Sequence, residues 1–280
     1  MTRPSQLDKA NALQALHAAD RGFVIPNPWD AGSAILLENM GFKALASTSA
    51  GFAWSRGRPD NAVSRDALLG HLRELVEASG LPISADLENG FGEAPEECAK
   101  TILLAAETGV AGGSIEDSTG RPGQPLFERA HAAERVRAAV AAARSLGFPF
   151  ALMARAENYF VGVEDLPDVI ARLQAYEAAG ADVLYAPGLV RKEDIALVLR
   201  EIGRPLNVLL MPAMTIGVPE LLDMGVQRIS VGGTLARAAW GGFMRAAQAL
   251  KEQGAASYAK DAAPGKELNA IFGARPRGED

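Results

Sequence analysis

Carboxylates and one arginine recur where short apolar runs of this chain end. One run ends in Asp86-Leu-Glu88, and strand alternation places these two carboxylates on one face. The next run ends at Glu116, the following one carries Arg155, and Asp60 follows an earlier turn. Acids gathered at one edge repel each other and are costly to desolvate without a cation. Because the set offers only oxygen ligands, it predicts a Mg²⁺ or Mn²⁺ site.

The acids at the ends of the apolar runs also have a purely structural interpretation. A single acid at a strand end often caps the next helix or pairs with an arginine, but the combination favours a site. A second signal is Gly232-Gly233, where the last apolar run turns into a helix. Glycine pairs at that place often bind phosphate in barrels, so phosphate binding stays open as a competing prediction.

Other reactive side chains lie in helical segments. His17, His71 and His131 all do so, and we expect them at the surface or at an interface rather than as general bases. Cys98 lies in the middle of a predicted helix and is expected to be buried and structural. A single cysteine excludes an intramolecular disulfide and any multi-cysteine metal site.

Eight short apolar runs alternate with longer segments of helical periodicity. The runs are Phe23–Trp29, Lys43–Gly51, Pro82–Asn89, Ala111–Asp117, Phe148–Glu157, Val183–Gly188, Pro205–Pro212 and Arg228–Gly233. Between them, the segment after Ser64 predicts an amphipathic helix, and another helix begins near Pro95. Eight strand–helix units predict an α/β fold of the (β/α)8 TIM-barrel type. The rival is a doubly wound open sheet, which the absence of an early Gly-x-Gly-x-x-Gly disfavours.

Length and composition predict one domain. The chain has 280 residues and a mass of 29.4 kDa, and no linker-like composition divides it. We therefore expect a single barrel domain over residues 1–280, with a C-terminal helical extension from about residue 235 and a polar tail.

Charge and hydropathy exclude two classes of partner. There are 28 Lys+Arg against 34 Asp+Glu, a net charge of −6, so no global positive field favours nucleic acid or anionic lipid. No apolar stretch is long enough for a membrane span, and the N-terminus lacks the apolar segment of a signal peptide. We expect a cytoplasmic protein whose partner is a small molecule.

Taken together, these motifs resemble the isocitrate lyase/phosphoenolpyruvate mutase superfamily, in particular its phosphoenolpyruvate mutase-like branch. The likeness spans nearly the whole chain, up to Leu235-Ala-Arg237. Its motifs here are Asn27-Pro-Trp-Asp30-Ala-Gly-Ser33, Thr48-Ser49-Ala50-Gly51, Asp86-Leu-Glu88-Asn-Gly90-Phe91-Gly92, Ile115-Glu116-Asp117 and Ala154-Arg155.

The resemblance implies a (β/α)8 barrel, in a homotetramer built as a dimer of dimers in which neighbours exchange the last helix. It also implies that Asp86, Glu88 and Glu116 hold Mg²⁺, or Mn²⁺, directly or through waters. The shared chemistry makes or breaks a bond next to a 2-oxo acid through a metal-bound enolate.

The resemblance further assigns substrate and catalytic roles. Backbone amides of Thr48, Ser49 and Ala50 would bind the substrate carboxylate, and Arg155 would steady the developing enolate with Glu116 beside it. Asp60, a catalytic candidate, could position a water or nucleophile if the chemistry is that of phosphonopyruvate. Asn207 and Arg237 are weaker substrate candidates.

Departures from the family pattern bear on the reaction. The lyase branch carries a Lys-Lys-Cys-Gly-His loop after strand four, but the segment 118–125 here reads Ser-Thr-Gly-Arg-Pro-Gly-Gln-Pro. The mutase branch has a longer loop with an Asn there, and a His-Ser after strand six where this chain has Pro187-Gly188. Glu88 also replaces the family's Asp and reaches one methylene further.

Three functions remain open at this point. The first is a Mg²⁺-dependent carbon–carbon lyase acting on a small 2-oxo or 2-hydroxy dicarboxylate, similar to the family's oxaloacetate decarboxylases. The second is phosphonopyruvate or phosphoenolpyruvate mutase or hydrolase chemistry, which release of phosphate from phosphonopyruvate would reveal. The third is a catalytically silent 2-oxo acid-binding protein, which ligands would stabilise without turnover.

Overall fold

The strands lie where the apolar runs predict them. The computed structural model describes residues 3–254 and 256–274. Within these residues the strands are β1 (Phe23–Ile25), β2 (Leu45–Ala46), β3 (Ile83–Asp86), β4 (Gly112–Glu116), β5 (Ser118–Arg121), β6 (Gln124–Leu126), β7 (Ala151–Arg155), β8 (Val183–Tyr185), β9 (Leu206–Leu209) and β10 (Arg228–Ser230). Eight of these described strands are parallel, whereas β5 and β6 form an antiparallel hairpin that the sequence did not predict.

Helices fill the intervals between the parallel strands. They are α1 (Gln6–Ala18), α2 (Ala31–Asn39), α3 (Ser49–Ser55), α4 (Arg65–Ala78), α5 (Pro95–Ala106), α6 (Arg129–Ser145), α7 (Leu166–Ala178), α8 (Lys192–Glu201), α9 (Val218–Asp223), α10 (Thr234–Gln253) and α11 (Gly265–Gly273), with a 3₁₀ helix at Ser257–Asp261. The end of the predicted polar tail, residues 275–280, lies outside the described residues. In the described segments, every helix is too short or too polar to cross a bilayer.

The parallel strands form a nearly closed barrel. Their order is β1-β10-β9-β8-β7-β4-β3-β2, so each strand lies beside its neighbour in the chain. Between β1 and β2 the amide of Ala46 donates to the carbonyl of Pro26 at 3.0 Å. The Asn27 side chain donates to the Ser47 carbonyl at 2.9 Å and accepts from the Val231 amide at 2.9 Å. This arrangement confirms the predicted (β/α)8 barrel and excludes the open sheet.

Helix packing follows the predicted periodicity. Ser64 caps α4, and Leu68, Leu72 and Leu75 of that helix are fully buried. α1 packs across the end of the barrel where the strands begin, with Leu13 in a cluster with Ile25 and Ala111. The carboxyl ends of the strands therefore form the open end.

One expectation about the histidines is wrong. His71 is 2% exposed, and its ring stacks on that of Phe52 with the ring centroids 4.0 Å apart. It is buried because it lies on the face of α4 that packs against the barrel. His17 is half-buried against Phe23. Cys98 is fully buried in α5, as the sequence predicts.

Candidate active site

A cavity of about 410 Å³ opens at the carboxyl ends of the strands. It lies where barrel enzymes place their catalytic groups. Eight residues predicted for the site lie on its wall: Thr48, Ser49, Ala50, Asp60, Asp86, Glu116, Arg155 and Arg237. The backbone therefore brings together residues that lie as far as 189 positions apart in the chain.

Arg155 lies at the centre of the polar wall. Its guanidinium forms ion pairs with Asp86 at 2.8 Å, Glu116 at 3.1 Å and Glu157 at 2.9 Å. The guanidinium carbon also lies 5.2 Å from the ring centroid of Tyr185. Arg155 is in register with Glu116 on β4 and with Tyr185 on β8. Strand register thus builds this cluster.

Burial makes these ionisable groups unusual. It raises the pKa of Glu116 well above its ordinary value and that of Glu157 to about 6, although Arg155 opposes both shifts. Burial by itself would lower the pKa of Arg155, but Glu157, Glu116 and Asp86 outweigh it and raise that pKa. Arg155 therefore stays charged while the carboxylates around it compete for a single cation.

Glu88, also predicted for the site, does not line the cavity, because β3 ends at Asp86 and Glu88 lies in the turn beyond it. It is 6% exposed, its φ is +49°, and its Oε1 has no hydrogen-bond partner. Burial, with the nearby Asp86 and Asp60, raises its pKa to about 8. At Gly90, two residues on, φ is +80° and a Cβ atom would lie 2.9 Å from the sulfur of Cys98. Only glycine fits there without strain.

This donor set fits a hydrated magnesium ion. Among the described residues, no three His, Cys, Asp or Glu side chains are grouped so as to hold a metal by themselves. Mg²⁺ commonly takes one or two carboxylates and completes its shell with waters and substrate. The unpartnered oxygen of Glu88 beside Asp86 is a donor pair of that kind.

Some hydrogen-bonding groups of the predicted carboxylate-binding turn, Thr48–Ala50, already have partners within the protein. Thr48 caps α3, and its hydroxyl accepts from the Gly51 amide at 3.2 Å. The Ser49 amide donates to Asp86 Oδ2 at 2.9 Å, so that donor is directed at the acid cluster. Asp60 is exposed as a residue, yet its carboxyl faces the cavity, where burial and Asp86 raise its pKa.

The structure does not bring Asn207 to the cavity wall. Asn207 is fully buried, and its side-chain amide donates to Ser230 Oγ at 3.0 Å. Its side chain points into the closed interior of the barrel, so the predicted substrate contact lacks support from this geometry. Arg237 does lie at the cavity mouth, exposed, and forms no ion pair with any described residue.

The glycine pair after β10 has a structural partner. The Gly232 amide donates to Asn27 Oδ1 at 2.8 Å, and the Val231 amide donates to the same oxygen. These amides hold β10 against the end of β1. The competing phosphate-binding prediction therefore loses the Gly232 amide as a donor.

Sequence reasoning did not select Glu157 as a site residue. It is 4% exposed and pairs directly with Arg155. The signal was present, because residues two apart at a strand end share a face and Glu157 follows Arg155 at that spacing. Tyr185, whose ring lies against the Arg155 guanidinium, carried no such signal since its partner is on another strand.

A buried arginine on α6 positions the loop that carries Glu88. Arg135 is 1% exposed and donates to the carbonyls of Asn89, of Gly92 at 2.9 Å and of Glu116 at 3.2 Å. Its guanidinium lies 4.0 Å from the centroid of the Phe127 ring. One side chain thereby ties together the backbone segments after β3 and β4.

A second buried network supports Glu157 from behind. Asp117, 2% exposed, accepts from the Glu157 amide at 2.8 Å, from Arg172 at 3.0 Å and from the Tyr176 hydroxyl at 2.5 Å. Burial raises the pKa of Asp117 against these donors. The network fixes the chain where β7 ends and the acid cluster begins.

Comparisons with known proteins agree with this architecture. The family model described as phosphoenolpyruvate phosphomutase matches residues 13–251. A solved Burkholderia cenocepacia J2315 structure, provisionally described as a lyase/mutase, is 54% identical, covers 96% of this chain and 98% of its own, and has a TM-score of 0.94.

Two further relatives have a stated activity. Oxaloacetate acetylhydrolase, solved in complex with its product oxalate, is 27% identical with a TM-score of 0.86, over 97% of this chain and 96% of its own. The 2-methylisocitrate lyase of Escherichia coli (strain K12) is 33% identical over 182 residues, which are 62% of this chain and 60% of the lyase.

Proposed function

The chain belongs to the phosphoenolpyruvate phosphomutase family, in the isocitrate lyase/phosphoenolpyruvate mutase superfamily of lyases and mutases, and on that premise we propose that it is a carbon–carbon lyase. Its proposed substrate is a small 2-oxo dicarboxylate of the oxaloacetate type. The proposed reaction is decarboxylation: the bond to the leaving carboxylate breaks, CO₂ departs, and the remaining electron pair forms a pyruvate enolate that takes up one proton.

The cluster around Arg155 is the observation that carries this proposal. Asp86, Glu116 and Glu157 hold the Arg155 guanidinium in one orientation on the wall of a largely buried site, so its positive charge is fixed in place although the carboxylates offset part of it. Such preorganised charge stabilises an enolate more than its parent ketone, because the charge develops during bond cleavage. Decarboxylation also begins without a base, which suits a wall whose described residues include no Cys, His or Lys.

The remaining roles follow from position on the cavity wall. The Thr48–Ala50 turn and Arg237 both line the cavity, and both offer donors for substrate carboxylates. Asp60, whose pKa burial raises, is the group we assign to protonation of the enolate or positioning of a water. Asn207 has only an indirect role, through Ser230.

Magnesium, or manganese, is the proposed cofactor. Asp86 and Glu88 would hold it, with Glu116 acting through waters, and the bound ion would supply Lewis-acid polarisation of the 2-oxo group. These three carboxylates would hold the charge of the ion close to Arg155 and keep bulk water out. Binding of a cation would also offset the cost of the buried Glu88 carboxyl.

We also propose a homo-oligomer, with a tetramer as the predicted state. α10 exposes large apolar side chains: Trp240, Phe243, Met244 and Leu250. An apolar groove of about 530 Å³ runs between this helix and α3, and it shares Trp54 and Arg237 with the cavity. A second copy covering this groove would bury the patch and enclose the mouth of the site.

Product analysis tests the reaction directly. The protein is incubated with oxaloacetate and Mg²⁺, and products are identified by NMR, with Arg155→Met as the control for metal-catalysed background decarboxylation. We expect pyruvate and CO₂ at a rate that Arg155→Met lowers at least about 100-fold, as for loss of a transition-state charge partner. If the products are oxalate and acetate instead, the reaction is hydrolytic cleavage and not decarboxylation.

Two other outcomes separate the alternatives. Free phosphate from phosphonopyruvate would assign phosphorus–carbon chemistry instead. Oxalate binding in a calorimeter with Mg²⁺, without turnover of any 2-oxo dicarboxylate, would assign a binding protein. Failure of oxalate to bind with Mg²⁺ would remove the metal–enolate site from the proposal.

A further inference from the structure

An arginine without a carboxylate partner lies at the floor of the cavity. Arg228, the first residue of β10, is 1% exposed, yet it lines the cavity below the acid cluster. Its guanidinium crosses the barrel interior to β3, where one nitrogen donates to Ser84 Oγ at 3.1 Å. The other terminal nitrogen lies 3.5 Å from His17 Nε2, and Nε has no partner.

The surrounding groups leave Arg228 charged. Burial lowers its pKa to about 10, which still keeps it protonated at neutral pH. His17 does not act as a counter-charge, because burial and then Arg228 lower the pKa of that imidazole to about 3. Among the described residues, no Asp or Glu lies within ion-pair distance of Arg228, whereas Asp86 and Glu116 above it are engaged by Arg155.

Arg135 shows how the same fold treats another buried arginine. Its guanidinium donates to three backbone carbonyls and rests on an aromatic ring. Arg228 has one hydroxyl and one imidazole nitrogen in place of these acceptors. A buried charge without compensation is strongly destabilising, so an incompletely paired guanidinium in the cavity lining favours a negative ligand.

We propose that the cavity floor is a binding site for one compact, singly charged anion, held by the Arg228 guanidinium. The hydroxyls of Ser84 and Ser114 on the adjoining wall offer further donors to it. The ligand is a halide or a small carboxylate, because the floor is enclosed by strands and offers one positive charge. This site is distinct from the carboxylate-binding turn at Thr48–Ala50 and does not depend on the proposed reaction.

Thermal unfolding at constant ionic strength tests the site. The full chain is heated in sodium gluconate, whose anion is too bulky for the floor, and gluconate is replaced stepwise by chloride in one arm and by formate in the other. We expect Tm to rise by roughly 3 °C at about tenfold excess of the anion over its Kd. A rise with chloride, with formate or with both supports the site and identifies its ligand.

Three variants locate the effect. Arg228→Gln, which removes the charge, is expected to abolish the rise. If this variant does not fold, Arg228→Lys, which keeps the charge but has fewer donors, is expected to reduce the rise. Arg200→Gln, the same change at an exposed position of α8, is the matched control and should keep the rise. An equal Tm in all three salts, or a rise that survives in Arg228→Gln, would overturn the proposal.

Discussion

Arg155 neutralises part of a carboxylate cluster that would otherwise oppose folding. Asp86, Glu116 and Glu157 each lie within 3.1 Å of its guanidinium nitrogens. All four side chains are at most 18% exposed, so water screens their charges weakly. Arg155 therefore has a structural role in addition to its proposed catalytic one. The pH dependence of the free energy of unfolding reports the structural role separately.

Arg155→Met should lower the free energy of unfolding by about 3 kcal/mol at pH 7.5, because it leaves buried carboxylates unpaired. At pH 5.5 the loss should be smaller, since Glu157, whose pKa is about 6, is then largely protonated, and the raised pKa of Glu116 acts in the same direction. Urea denaturation at the two pH values measures both, with Arg155→Lys as the charge-keeping control. An identical loss at both pH values would contradict this account.

Glu88 should make the metal-free protein less stable as pH rises. Its pKa is 4.5 in the unfolded chain and about 8 in the folded one. Between these values the folded state retains a proton that the unfolded state has released, so stability falls as pH rises through this window. Above pH 8 the loss is complete, and below about pH 4.5 it is absent.

Glu88→Gln removes that titration. In EDTA, its stability advantage over the natural chain should grow between pH 5 and pH 8.5 by roughly 3 kcal/mol. Guanidinium denaturation measures the difference, and Glu74→Gln, at an exposed position of α4, is the matched control. A constant difference across this range would mean that the Glu88 carboxyl is not buried as described.

At the scale of elements, the loops after the strands are held from outside the barrel. Arg135 on α6 binds three carbonyls after β3 and β4, and Thr101 on α5 donates to the Gly90 carbonyl at 2.7 Å. These helices do not contact the cavity. They determine where Glu88 and Glu116 lie, the two carboxylates proposed to act at the metal site.

Arg135→Lys should weaken the response to magnesium. Lysine cannot reach three carbonyls from one planar group, so the loop bearing Glu88 is expected to shift. We expect the Mg²⁺ concentration for half-maximal oxaloacetate decarboxylation to rise about tenfold, measured alongside urea denaturation. Lower stability with an unchanged Mg²⁺ requirement would assign Arg135 a purely structural role. Arg137→Lys, an exposed neighbour on α6, is the control.

At the scale of the whole molecule, α10 presents an apolar surface that one copy leaves uncovered. Phe243 and Met244 are 63% and 66% exposed, beside the groove that borders the cavity. Large exposed apolar patches mark association sites. The proposed tetramer places this surface at an interface between subunits. Disrupting the surface should therefore release smaller species.

Sedimentation velocity checks the assembly. The natural chain should sediment with four times its 29.4 kDa mass, whereas a double variant, Phe243→Glu with Met244→Glu, should sediment as a smaller species because it buries charge at the interface. Lys251→Glu, at an exposed position later in the same helix, should keep the natural mass. A natural chain that sediments as a monomer would overturn the proposed assembly.

The sequence by itself determined the barrel and the acids at its mouth. Strand and helix periodicities are local properties, so each of the eight parallel strands lies within its predicted apolar run. Strand ends are local too, and Asp86, Glu116 and Arg155 were placed at one edge from this information. The hairpin β5–β6 was missed because its four- and three-residue strands lack any alternating pattern.

Only the tertiary structure decided which of these groups meet. The partners of Arg155 depend on how far neighbouring strands are staggered around the barrel, a quantity that no single strand encodes. For the same reason the sequence could not show that Asn207 is buried against Ser230, or that Asn27 accepts a hydrogen bond from the Gly232 amide. Arg228 reaches Ser84 across the interior because closure of the sheet brings β10 near β3, 144 residues earlier in the chain.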